Sequence, residues 1–410
     1  MFKRFIVAGL LAGTAAALSA QAPPPGPVPT GAAPQPAQDF TVTAEEARRT
    51  ALDLAAKLEE DYVFPDVAKR YGAMLRANVA SGAYDGFTSG RELAMRLSAD
   101  LRAVSPDAHL RVGPRPSGAG SAGPPRAEAG AAPGAGPTMV PVRRMVAPGG
   151  APGAAGPAPQ LRMRPPLKPI DEARWLAPGI AYIRFNVFPG DPETIEAVRR
   201  FMTEHVTAKT IIFDNRTHHG GGLDEMDVMF PYLFAKSTSL VTMDTRASVD
   251  RARGSPMGEA KLRLLPAEGD VVRREHYVEP SKTEKRLFKA KVFVLTSGAT
   301  ASAAEHMTLA LKRTHRAIIV GEPTAGAGHY GGLEPVGDRF AAFIPVGRTF
   351  DADTGKDWEG GGIDPDVAVP AEQALTEALV RSGMDRAAAQ RVSAEVKPTG
   401  PMTRRNPRPS

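Results

Sequence analysis

Lys291-Val292-Phe293-Val294-Leu295-Thr296-Ser297-Gly298-Ala299-Thr300-Ala301-Ser302-Ala303-Ala304-Glu305 decides the fold. Lys291 to Thr296 is a short, mostly apolar run rich in β-branched residues, which reads as a buried strand. Small residues then turn the chain, and residues 301–312 read as a helix. A strand running into a helix is the repeating unit of a parallel sheet. Ser302 falls in the first helical turn. Backbone N–H groups there lack intrahelical partners, and the helix dipole favours negative charge. A serine so placed can attack a carbonyl while neighbouring N–H groups hold the oxyanion. A serine there equally serves as a helix cap.

The same alternation extends on both sides. Ala317-Ile318-Ile319-Val320 is the next strand. Upstream, Gly179-Ile180-Ala181-Tyr182-Ile183-Arg184-Phe185 alternates as a strand, residues 191–207 read as a helix, and Thr210-Ile211-Ile212-Phe213-Asp214 is a buried strand ending in a carboxylate. A helix through Met229 and Leu233, a strand over residues 340–344 and a late helix over residues 371–381 complete an α/β core spanning 170–382, with a mostly parallel sheet. A small helical domain over residues 43–112 precedes it. Thr43 with Glu46 fits a capping box, and Ala51, Leu54, Ala55 and Leu58 recur at helical spacing. That helix stops before Pro65. Two more follow, over residues 67–79 and from Ser89 through Leu93, Leu97 and Leu101, before Ser105-Pro106-Asp107-Ala108-His109-Leu110.

Between and beyond these parts the composition changes. The chain has 410 residues, with 41 Gly and 39 Pro unevenly spread. Lys3 and Arg4 followed by an apolar stretch to Ala17, then Ser19 and Ala20, read as a secretory signal over residues 1–20. The reading implies a periplasmic or secreted protein with no stable membrane span after signal cleavage. Residues 21–42 read as a flexible linker, and the Gly/Pro/Ala-rich residues 113–169 as a disordered insertion that buries too little to order itself. Residues 383–410 read as a basic tail. The net charge of +6 sits largely in such stretches, and no basic run interleaved with aromatics marks a nucleic-acid surface. The chain has no cysteine, which removes disulfides, thiolate metal sites and a cysteine nucleophile.

A second turn matters to the chemistry. Asp214-Asn215-Arg216-Thr217-His218-His219-Gly220-Gly221-Gly222 lies at the carboxyl end of a buried strand, where α/β sheets bind ligands. Consecutive glycines let the backbone approach a reacting group, or simply make a tight turn. His218, His219, Asp224 and Glu225 match no helical metal-ligand spacing and read as polar loop residues. Gly326-Ala327-Gly328-His329-Tyr330-Gly331 has dinucleotide-fingerprint spacing, but a turn and strand follow where that motif requires a helix.

Taken in order, these motifs resemble the tail-specific, or C-terminal-processing, serine peptidase family, which includes the tricorn core protease and the interphotoreceptor retinoid-binding protein. Asp214 to Gly221 is similar to its Asp-Leu-Arg-Gly-Asn-x-Gly-Gly signature, with Asn215, Thr217 and His218 as departures. Thr300 to Glu305 resembles its nucleophile motif. Tyr62-Val63-Phe64-Pro65, Gly321-Glu322-Pro323-Thr324-Ala325-Gly326 and Gly361-Gly362-Ile363-Asp364-Pro365-Asp366 resemble further family segments. The resemblance implies a crotonase/ClpP-like ββα core, no cofactor, and a peptide or protein substrate cleaved through an acyl-enzyme at Ser302. It implies oxyanion donors at Gly220 or Gly221 and at Ala303.

Ala327 stands where many members carry a lysine base. Lys312, ten residues past Ser302 on one helix, would be ~15 Å away and is no substitute. The tricorn-like branch uses histidine and glutamate, which implies His109 as general base and Glu359 as its partner, with Glu305 as the competing carboxylate. Residues 113–169 stand where many members carry a PDZ domain. A non-catalytic binder of peptides or hydrophobic ligands on the same fold, and an acyl hydrolase using the same serine, are the alternative readings.

Overall fold

The computed structural model describes residues 39–115, 167–258 and 261–403. The expected signal segment, and most of the expected linker and insertion, lie outside the described residues. The chain opens with helices α1 (Ala44–Asp61), α2 (Pro65–Ala80) and α3 (Gly90–Val104), then strand β1 (Arg111–Pro114). The Thr43 side chain caps α1 and the Ser89 side chain caps α3, each accepting an N–H three residues on. Next come β2 (Ile170–Ala177), β3 (Ile180–Phe185), α4 (Pro192–Glu204), β4 (Thr210–Asp214), α5 (Asp224–Met229), β5 (Thr238–Arg246) and α6 (Ala247–Arg253). Then follow β6 (Leu262–Leu265), β7 (Val271–Val278), β8 (Lys291–Thr296), α7 (Ala303–Arg313) and β9 (Ile318–Gly321). The described chain ends with β10 (His329–Val336), β11 (Phe340–Phe350), β12 (Val367–Ala368), α8 (Ala374–Arg381) and α9 (Arg386–Glu395).

The expected parallel sheet is present, with strand order β12-β9-β8-β4-β3-β2. Every pairing in it is parallel except β2 with β3. Its central strands β3, β4 and β8 are buried almost throughout, because both faces are covered. Phe185, Phe213 and Val294 meet α4, α5 and α7 on one face. Tyr182, Ile212 and Leu295 meet Leu375 and Leu379 of α8 on the other. In register, Asp214 lies beside Leu295, so the carboxyl ends of β4 and β8 deliver the glycine turn and the Ser302 turn side by side.

A second sheet was not anticipated from sequence. It is antiparallel, with order β1-β11-β5-β7-β6, and β10 also pairs with β11. The helices do not close a core of their own. Leu54, Leu58, Tyr71 and Leu97 share one cluster with Val336, Phe340, Ala342 and Ile344 of the antiparallel sheet. Strand β1 completes this union, since Val112 pairs with Ala342. The reading of residues 383–410 as a tail needs correction as well. Residues 386–395 form α9, capped by the Asp385 carboxylate, and Ala389 and Val396 are buried against α8. The buried Arg184 donates to the Val396 carbonyl at 2.5 Å.

Candidate active site

Ser302 is the N-cap of α7, with φ 55° and ψ −120°. Only one other described non-glycine residue, His315, has positive φ. A side-chain-bearing residue held there is strained, and such strain persists only where neighbours over-determine it. Those neighbours are visible. The Ser302 N–H donates to Glu305 Oε2 at 2.8 Å, and the Glu305 N–H donates back to the Ser302 carbonyl at 2.8 Å. Ahead of the serine, the Ser297 and Thr300 hydroxyls donate to the carbonyls of Arg216 and Asn215, and the Ala301 N–H donates to the His218 carbonyl. The serine turn is thus knitted to the glycine turn.

The glycine turn rests on a buried ion pair. Arg216 donates to both oxygens of Asp214, at 2.8 and 2.6 Å, and to the Ala371 carbonyl at 2.9 Å. Gly220 and Gly221 have φ of 114° and 134°, which side chains rarely adopt. A Cβ on Gly220 would fall 2.7 Å from Ser302 Cβ, and one on Gly221 would collide with the Phe188 carbonyl. Both positions require glycine, and Gly220 lies directly against the serine.

The expected oxyanion donors divide. The Gly220 N–H donates to His218 Nδ1 at 3.0 Å and is already used. Burial pushes His218 down to about 3. The ring is therefore neutral with its proton on Nε2, an atom buried without a partner among the described residues. The N–H groups of Gly221 and Ala303 meet no protein acceptor among the hydrogen bonds of the described residues. These two are the donors left for an oxyanion.

Glu305 does not take the place of a histidine partner. Its Oε1 accepts from the Thr324 hydroxyl and the Gly326 N–H, both at 2.6 Å, and its Oε2 from the Ser302 and Ala327 N–H groups, at 2.8 and 2.9 Å. With four donors on two oxygens, no lone pair remains for an imidazole. Glu305 shapes the turn and ties it to the loop of residues 324–329.

The far end of that loop belongs to Glu359. Its Oε2 accepts from the Gly328 and His329 N–H groups at 2.7 and 3.2 Å, and its Oε1 from the Ala108 N–H at 2.6 Å. The structure thus brings Glu359 to the peptide beside His109. No hydrogen bond joins it to the His109 ring, as a simple triad would require. Burial, then the charge of Asp107, pushes Glu359 up from the usual carboxylate range. His109 is half-buried and stacks on Phe343 at 5.5 Å. Its Nδ1 is buried without a partner among the described residues, and burial pushes the ring down to about 4.

Two residues with no assigned role join this group. The Oδ1 of Asp107 accepts from the His109 and Leu110 N–H groups, and its Oδ2 from the Tyr62 hydroxyl. His329 Nδ1 lies 2.7 Å from Asp107 Oδ2. Asp107, His329 and Glu359 are the one trio of metal-capable side chains this close among the described residues. The carboxylate oxygens already face N–H and O–H donors, so the set suits a proton network better than a cation. His218, His219, Asp224 and Glu225, by contrast, gather no such cluster among the described residues. Sequence reading touched Asp107 and His329 only as parts of larger motifs. The proximity of His329 to Ala327 was the available signal.

A strained serine heading a helix lies beside a glycine turn with free N–H groups at the carboxyl end of a parallel sheet, an arrangement of parts that acyl transfer can use. Comparison with known proteins agrees in class. The model of peptidase family S41 matches residues 179–369, and the model of the N-terminal domain of peptidase S41 in eukaryotic IRBP matches residues 35–146. The chain belongs to peptidase family S41. It is 29% identical over 152 residues to carboxyl-terminal-processing peptidase 1, chloroplastic, of Arabidopsis thaliana. That match covers 36% of this chain and 31% of the relative, so it spans about a third of that protein's length. Among solved structures, the photosystem II D1 C-terminal processing protease aligns with a TM-score of 0.49 at 16% identity, over 84% of this chain and 99% of that one. The tricorn protease aligns with a TM-score of 0.31 at 18% identity, over 54% of this chain and 18% of that one.

Proposed function

We propose that the chain is an exported serine peptidase that cleaves peptide bonds through an acyl-enzyme at Ser302. The backbone of Ser302 carries this reading, strained and pressed against Gly220, with the N–H groups of Gly221 and Ala303 free nearby. Strain of this kind clusters at functional sites and has a direct use in presenting a nucleophile.

In the proposed reaction His109, neutral at physiological pH, takes the hydroxyl proton as Ser302 Oγ bonds to the scissile carbonyl carbon. The oxyanion is held by the Gly221 and Ala303 N–H groups. The tetrahedral species collapses, the C–N bond breaks, and the His109 proton passes to the leaving amine. Water then repeats the sequence on the ester, releasing the carboxylic acid and the serine. Glu359 holds the His109 loop through Ala108.

A fluorophosphonate probe on folded protein should label Ser302 and nothing in Ser302→Ala, with peptide hydrolysis lost in parallel. Peptide hydrolysis that persists in Ser302→Ala would overturn the assignment. Labelling cell fractions in the same way addresses export, because the adduct should appear outside the cytosol at a mass lacking the leader. An adduct of full-length mass confined to the cytosol would refute that part.

A further inference from the structure

The Asp107–His329 contact crosses the seam between the helical layer and the core, joining residues 222 positions apart. His329 begins β10, two residues past the alanine that stands at the family's lysine position. Its ring is 5% exposed and ringed by acid. Nδ1 lies 2.7 Å from Asp107 and 3.8 Å from Glu359, and Nε2 lies 3.8 Å from Asp357. The Phe64 ring closes one side, edge-on at 5.4 Å. Three carboxylates around one imidazole, with both ring nitrogens facing acid, hold it as the imidazolium.

This cation sits where the His109 loop is fastened. Asp107 holds the N–H groups of His109 and Leu110, Glu359 holds that of Ala108, and both carboxylates face His329. Without a positive charge between them, two buried carboxylates would repel across this space.

We propose that His329 is a positioning residue of the active site, a fixed imidazolium that clamps Asp107 and Glu359 together and so holds the His109 loop on the core. The proposal rests on the reading of His109 as general base. His329 does not itself act as base, since Nε2 is fully buried and a ring kept protonated cannot accept a proton. Its charge acts on its neighbours in one direction. It lowers Glu359 against the upward push of burial and Asp107, and it lowers His109 further below the ordinary histidine value, behind burial and against the charge of Asp107. The other charged or titratable groups facing the cluster are Tyr62, Tyr71, Asp357, Arg111 and Arg348.

The test compares His329→Gln, which keeps a donor and loses the charge, with His329→Lys, which restores a cation. In folded His329→Gln the fluorophosphonate labelling rate should fall roughly ten- to hundredfold. Both neighbours titrate higher once the cation is gone, so the acid limb of kcat/KM should move to higher pH. His329→Lys should return the limb toward the wild-type position. Rates that fall equally in both variants with the limb unmoved would reduce His329 to a packing residue and overturn the proposal, as would an unchanged rate in His329→Gln. The His109 ring pKa, read by NMR in unlabelled protein, needs no activity. It should rise in His329→Gln, and an unchanged value overturns the proposal even if the peptidase reading stands. Failure of wild-type protein to label would sink the peptidase reading while leaving this measurement valid.

Discussion

At the scale of single residues, the site is built from groups whose freedom has been removed. Ser302 stood out from sequence through the order of the motifs around it more than through its own position after a strand at the head of a helix. The same local sequence also fits an ordinary cap, and the backbone at φ 55° is the added observation that favours a functional role. Asp107 and His329 were not legible as partners, because their contact depends on how two distant segments dock. Gly220 offers the sharpest test at this scale. Gly220→Ala puts a methyl against Ser302 Cβ at a φ of 114°, so the serine must move. The labelling rate should drop roughly hundredfold with the protein still folded. A rate within about twofold of wild type would mean that the glycine turn does not fix the nucleophile.

At the scale of elements, the parallel strands announced themselves as apolar runs, because strands covered on both faces have no polar side to show. The antiparallel strands did not. In β7 the polar Arg274, Glu275 and His276 are buried in succession, which erases the alternation that marks a strand. These residues have partners, and one set steadies α7, the helix that Ser302 heads. His306 of α7 lies 2.8 Å from His276, whose other nitrogen lies 3.0 Å from Asp227. Burial keeps His306 well below the ordinary histidine value. His276→Ala strands the buried His306 ring without its partner and should cost about 1–3 kcal/mol in denaturant unfolding. A variant as stable as wild type would show that this strut bears no load.

At the scale of the whole molecule, the helical layer and α9 are both parts of the core. The helices were correctly placed from their caps and spacing, yet their burial against β10 and β11 was invisible, since it needs the antiparallel sheet to exist first. Helix α9 escaped notice because Ala389, its one buried residue, is small and leaves no large apolar stripe to mark the helix. A chain ended after residue 382 tests the correction. It loses the packing of Ala389 and Val396 and leaves the Arg184 guanidinium short of the Val396 carbonyl. The loss should reach about 3 kcal/mol or more and lower the thermal midpoint. A midpoint equal to that of the full chain would return the segment to the status of a tail.

The loop of residues 324–329 has a consequence for how this protein can vary. Glu305 grips it at Gly326 and Ala327, and Glu359 grips it at Gly328 and His329, in every case by the main-chain N–H. Apart from the Thr324 hydroxyl on Glu305 and the His329 ring near Glu359, the two carboxylates therefore measure the loop in peptide units. At the other positions letters can drift at smaller cost, whereas a single inserted residue would put the second pair of amides out of step with Glu359, which also holds the His109 loop through Ala108. The loop works as a ruler, and a ruler is defined by its length.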